Sequence, residues 1–150
     1  MTGFAFIFTE LGKNIVPPLL AALDIDDPGL RLELLQILRE RADKNAVPYL
    51  WFLSASPQQP DLIRKTATEM LSVFLSIPPS NLPSAKVALT REAERYYQHQ
   101  VTFSPPNQPV VWYFDKEKKQ ILSRTLSASE AEEFYGLRFA GQALQLDPSY

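Results

Sequence analysis

Cysteine is absent from these 150 residues. That removes disulfides, thiolate metal sites and cysteine nucleophiles, and it leaves the redox compartment open. Histidine occurs once, at His99. A transition-metal site would therefore have to be built almost wholly from carboxylates, and a Ser-His-Asp triad would need this one ring beside an activated hydroxyl. Ser104, a few residues on, carries no mark of activation, so His99 reads as a surface or capping residue. Glycine is scarce and scattered, five in all, which excludes a glycine-rich phosphate loop. Charge of one sign is lacking too: 15 basic residues face 17 acidic ones, a formal net charge of −2. No polyanion such as nucleic acid is expected as a partner. No apolar run approaches the roughly 20 residues that span a bilayer. The apolar start Gly3–Phe8 has no basic side chain before it and meets Glu10 directly after, unlike a secretion signal. The sequence reads as cytoplasmic, with no membrane partner and no cofactor.

What the chain does have is internal repetition. Lys13-Asn14-Ile15-Val16-Pro17 returns as Lys44-Asn45-Ala46-Val47-Pro48, 31 positions later. A fixed period marks stacked units that cannot bury their apolar faces alone. In both copies a Val-Pro pair opens a short apolar run, and proline is tolerated there because the first helical turn has no use for that N–H. A second helix follows each run. In the first unit Asp27 is placed to cap, Pro28 occupies the first turn, and Leu30, Leu34, Ile37 and Leu38 recur at helical spacing. In the second, Pro60-Asp61 opens a helix carrying Ile63, Ala67, Met70, Leu71 and Phe74. The offset there has grown to 33, which places two extra residues in the loop 54–59, where closure entropy rises slowly with length.

Residues 13 to 78, by this helix–turn–helix pattern and by the turn Asp27-Pro28-Gly29-Leu30-Arg31, resemble the HEAT-repeat family of armadillo-like α-solenoids. The resemblance implies stacked helix pairs with a concave face lined by the second helices, and an aspartate and Arg31 close enough to pair. The second copy departs from it, with Gln59 where the first acid would stand. By the same pattern Phe4–Leu11 reads as the end of an earlier, shortened unit with an apolar stripe, which points to a longer array or to packing on a second copy.

Prolines 78, 79 and 83 mark a boundary between a repeat region, 1–80, and a second region, 81–150. The second region is predicted to hold a helix over 84–100, a β-hairpin from Pro109–Asp115 and Ile121–Leu126, and a final helix. A lone hairpin is marginal in water, so it must lie against helices, with Trp112 and Phe114 as anchors and Tyr113 on the opposite face. Ser127 with Glu130, and Ser129 with Glu132, are capping-box candidates. Ala131, Tyr135, Phe139 and Ala143 form the stripe of the last helix, and Gly136 with Ala140 leaves a groove for another helix. The closing stretch 131–148, ending Asp147-Pro148, is similar to the end of a tetratricopeptide repeat.

Carboxylate clusters have plain readings. Asp24, Asp26 and Asp27 lack the ligand series of a calcium loop and read as capping; Glu130, Glu132 and Glu133 complement a helix start. The fold class expected is mainly α: an α-solenoid of helix pairs, then a helix, a small β-hairpin and a C-terminal helix. The function expected is a non-enzymatic scaffold for a protein or peptide, part of a longer array, with Arg31, Arg64, Arg95 and Tyr113 as candidate partner-binding residues. Self-association through uncapped ends is compatible with it. The alternative is enzymatic, since proteins resembling HEAT arrays include bilin lyases and some DNA glycosylases. Trp51 could supply a base-binding cleft in the latter, but the balanced charge disfavours it.

Overall fold

The computed structural model of the chain describes residues 15–149. Lys13, Asn14 and the apolar stripe Phe4–Leu11 lie outside the described residues. The fold is mainly helical, with a two-stranded hairpin before its last helix. Helix α1 spans Val16–Ala22, with Pro17 in its first turn. Helix α2 spans Pro28–Arg41, and its N-cap carboxylate, Asp27, accepts the Leu30 N–H at 3.1 Å. Here Asp27 serves the helix end and the Arg31 side chain turns elsewhere. A 3₁₀ turn over Lys44–Ala46 leads into α3, Val47–Ala55, again with proline in the first turn. Asp43 holds that 3₁₀ turn by accepting the Asn45 N–H at 2.9 Å. The second copy of the motif is thus the lead-in to α3. Helix α4, Asp61–Leu75, completes the second pair and closes on Ser76 in the left-handed region, φ 56°.

After a 3₁₀ turn at Pro79–Asn81, α5 runs Ala85–Tyr97. It stops three residues short of the expected Gln100 because His99 takes a left-handed conformation, φ 57°. The His99 N–H returns to the Tyr96 carbonyl at 3.2 Å and the Gln100 N–H to the Arg95 carbonyl at 2.8 Å. This paired closure satisfies two end carbonyls. Strands β1, Val110–Asp115, and β2, Gln120–Thr125, pair antiparallel with Trp112 opposite Ser123 and Phe114 opposite Ile121. The Asp115 carboxylate shapes the turn by accepting the N–H groups of Glu117 and Lys118 at 2.9 and 3.0 Å. Helix α6, Ala128–Leu146, opens with the capping box of Ser127 and Glu130. Of the two overlapping candidates, only the Ser127 pair closes in both directions.

Helix α2 packs on α4, α3 lies against both α4 and α5, and α5 runs along α6. The hairpin sits against α1. One apolar core runs through both halves, joining Leu34, Leu50, Met70 and Leu71 to Leu89 and Phe139, all fully buried. Each such side chain contributes about 1.5–3 kcal/mol by leaving water. On α2 the buried face includes Leu35 and Arg31 beside the expected Leu30, Leu34 and Leu38. It is wider than a single stripe because α1 and α4 cover it from two sides.

Gly136 behaves as the close-approach point of α6. A Cβ there would lie 2.9 Å from Tyr97 Cζ. On β1, Val111 is the most buried residue, whereas Trp112 and Phe114 stay half-buried. Their face looks onto clefts beside the helices. At the far end of α6, Asp147 takes Lys86 Nζ at 2.6 Å and Ser149 Oγ at 2.6 Å. These bonds hold its carboxyl down at about 2. No helix of the described residues is long and apolar enough to cross a membrane.

Candidate binding cleft

The Val-Pro lead-ins of both helix pairs converge on one wall. Val16 and Pro17 of α1 and Val47 and Pro48 of α3 border a cleft of about 720 Å³. Much of the remaining lining is aromatic. Tyr96 of α5 stacks on Tyr135 of α6 with centroids 5.2 Å apart, and Phe103 lies 6.3 Å from Tyr135 and 6.4 Å from Tyr96. Trp112 of β1 also lines the cleft. Sequence spacing explains the assembly: Tyr96 leaves the last turn of α5, and the reversal at His99 carries the chain on through Phe103. Offset ring pairs at these distances add about 0.5–1.5 kcal/mol each beyond the area they bury.

Polar groups border the same space. Arg95 Nη1 reaches both Glu92 oxygens, at 2.7 and 3.0 Å, and Asp43, Lys44 and Asn45 also line the cleft. Burial, helped by the Glu92 charge, pushes the Tyr96 phenol well above its ordinary 10. Burial raises Tyr135 likewise, against the opposing pull of Arg138. Both phenols therefore stay protonated at neutral pH and can donate hydrogen bonds, but they cannot serve there as bases. His99 lies apart, with Nδ1 2.8 Å from Glu132 and its side chain 78% exposed. The chemistry on offer is stacking, hydrogen bonding and charge pairing.

Tyr49 of α3 borders this cleft and a second cavity. Its ring meets Phe139 edge-on at 5.5 Å, and the Arg138 guanidinium lies over it at 4.8 Å. Arg138 is pinned by Asp24, with Nη1 to Oδ2 at 2.6 Å and Nη2 to Oδ1 at 3.1 Å. Burial acts to lower the Arg138 pKa, but the Asp24 charge and hydrogen bonds outweigh it and the value stands above the ordinary one. Burial drives the Tyr49 phenol strongly upward, with Arg138 opposing.

The four candidate residues do not come together. Arg31 is 7% exposed, with Nε to the Leu23 carbonyl at 2.9 Å, Nη2 to the Ile25 carbonyl at 2.7 Å and Nη1 to Gln59 at 2.9 Å. It is a member of the fold, bonded across to the loop of the second helix pair. Arg64 stands at the surface of α4 and pairs with Asp61. Tyr113 pairs with Leu122 across the hairpin, on the face away from Trp112. Only Arg95 lies in the main cleft. Sequence reasoning missed Arg138 as the partner of Asp24. The one available signal was a lone cation next to Phe139 on an otherwise uncharged helix face. The chain matches no protein-family model, no curated protein and no solved structure.

Proposed function

We propose that the chain is a non-enzymatic interaction module, built of helix-pair repeats in the α-solenoid manner, whose main cleft takes an extended segment of a partner protein. The observation that carries this reading is the convergence of both Val-Pro lead-ins with Trp112 and the stacked Tyr96, Tyr135 and Phe103 on one cleft. Half-exposed aromatic rings beside an arginine are the composition of binding hot spots. Neutral phenols, the Arg95–Glu92 pair and Lys44 offer donors and charges of both signs to a peptide backbone and its flanking side chains. The bond from Arg31 in one helix pair to Gln59 ahead of the next supports the repeat reading.

The test is selection of a peptide from a random displayed library, followed by affinity measurement on variants. Trp112→Ala is expected to weaken the selected peptide ~30-fold, the weight of a ~2 kcal/mol hot spot. Tyr113→Ala, on the far face of the hairpin, is expected to leave affinity unchanged. Loss on Tyr113→Ala with none on Trp112→Ala would move the site to the other face and overturn the cleft. A linear tetrapyrrole whose absorbance shifts on mixing, with the shift abolished by Trp112→Ala, would assign the cleft to the enzymatic reading instead.

A further inference from the structure

The charged side chains that border the main cleft cancel: Lys44 and Arg95 stand against Asp43 and Glu92. Both carboxylates are already engaged, Glu92 by Arg95 Nη1 and Asp43 by the Asn45 N–H. Neither an anionic nor a cationic occupant gains a net attraction from that balance. Hydrogen bonding and shape are left to select the occupant.

Donors are in surplus. Trp112, Tyr96 and Tyr135 line the cleft and are half-buried. Among the described residues the Trp112 Nε1–H and the two phenols have no hydrogen-bond partner, and the unpaired side-chain atoms closed to solvent lie elsewhere, on Glu33, Arg138 and Gln142. The three cleft groups are therefore both unpaired and open to solvent. An indole nitrogen only donates, and the phenols, raised by burial, keep their protons at neutral pH.

Ring geometry adds to the same preference. Tyr96 stacks on Tyr135 at 5.2 Å and on Phe139 at 6.0 Å, so its faces are used within the fold. The rims of such rings are the positive side of their quadrupole. A cation, which seeks a ring face, is poorly served there, and a carbonyl oxygen is well served. Trp112 differs from the tyrosines in making no ring contact among the described residues.

We infer that the segment taken by this cleft is proline-rich and binds in the polyproline II conformation. The inference rests on the reading of the cleft as a peptide site and names the peptide. A polyproline II segment has no internal hydrogen bonds, so all its carbonyls are free to accept, while each proline lacks an N–H. That is a neutral, acceptor-rich and donor-poor ligand. One carbonyl accepts from Trp112 Nε1–H, a second from the phenol of Tyr96 or Tyr135, and a pyrrolidine ring packs on the indole. With about three residues per turn, prolines three apart fall on the same side of the segment. Aromatic-lined grooves take such segments at low entropic cost because the conformation is preformed. A helical occupant would bring carbonyls already bonded within itself, and a β-strand would bring N–H groups to a cleft whose carboxylates are engaged.

The experiment is selection from a random displayed peptide library on the full chain, followed by affinity measurement with a synthetic selected peptide. Enrichment of proline at a three-residue spacing is expected. Replacing either of two such prolines by alanine should weaken binding about tenfold, with the protein itself untouched. Trp112→Phe, which keeps an aromatic ring and removes the Nε1–H, should weaken it about fivefold, the worth of one hydrogen bond, with the circular dichroism unchanged. Selected peptides that lose affinity on Trp112→Ala yet lack proline, or bind equally well after proline-to-alanine replacement, would overturn this inference and leave the cleft standing as a peptide site. Affinity unchanged in Trp112→Phe would overturn the carbonyl contact to the indole. No captured peptide, or capture indifferent to Trp112→Ala, would overturn the peptide reading of the cleft and this inference with it.

Discussion

A guanidinium that is 7% exposed and bonded to two backbone carbonyls and one carboxamide is an unusual solution at Arg31. Its three bonds close the turn between α1 and α2 and tie it to the loop ahead of α4. Hydrogen bonds from a charged donor are worth about 1.5–3 kcal/mol, and deletion leaves the buried Leu23 carbonyl without that partner, while the Ile25 carbonyl keeps the Asp27 N–H at 2.8 Å. Arg31→Met is therefore expected to lower stability by about 3 kcal/mol, read from urea unfolding. Arg31→Lys should recover little, because an ammonium cannot serve three acceptors arranged for a planar fork. A loss under 1 kcal/mol for Arg31→Met would mean that water takes over the Leu23 carbonyl. The sequence located Arg31 on its helix and singled out Gln59 as the odd residue of the second turn. It could not show that these two bond to each other, because partner choice across 28 residues depends on how the helix pairs stack.

At the scale of elements, local chemistry made most of the fold legible. The proline openings of α1, α2 and α3, the Asp27 cap and the Ser127 capping box each act within a turn, so their signals lie in consecutive residues. The hairpin too was marked by its own turn and by residue type. Burial between elements was not legible in this way. Val111 is more buried than either Trp112 or Phe114. Asp24 finds Arg138 at a separation of 114 residues. The Ser127 cap gives the local rule a direct check. Ser127 Oγ accepts the Glu130 N–H at 3.1 Å, and Glu130 Oε1 accepts the Ser127 N–H at 3.0 Å. The backbone and side-chain bonds to Ser127 hold the Glu130 carboxyl below its ordinary range. Ser127→Ala removes one of the two bonds and should cost about 1 kcal/mol in thermal or urea unfolding, whereas Ser127→Asp should keep most of the cap. In Ser127→Ala the Glu130 pKa, followed by carbon-detected titration, should move up toward 4.5. An unmoved pKa would show that the backbone bond alone sets it.

The whole molecule is joined by rings from three helices: Tyr49 on α3, Tyr96 on α5, and Tyr135 with Phe139 on α6. The three tyrosine rings also line the candidate cleft, so residues that hold the two halves together also help define the proposed binding surface. Burial raises all three phenols above 10, the value they regain on unfolding. The sign follows from proton counts. Below pH 10 the phenols are protonated in both states and stability does not depend on them. Above it the unfolded chain releases protons that the folded chain retains, so stability falls as pH rises toward the folded pKa values. Each retained proton gives a slope of about 1.4 kcal/mol per pH unit, and three together approach about 4 kcal/mol per pH unit. Alkaline unfolding should consequently be steep and accompanied by a cooperative rise in tyrosinate absorbance. Tyr96→Phe keeps the ring stack and removes one proton from the count, so it should leave stability near pH 8 within about 1 kcal/mol and reduce the slope by about a third. Tyr49→Phe should act in the same way. Absorbance that titrated near 10 in the intact fold would show these phenols open to water, and the rings would then be a wet surface in place of a shared core.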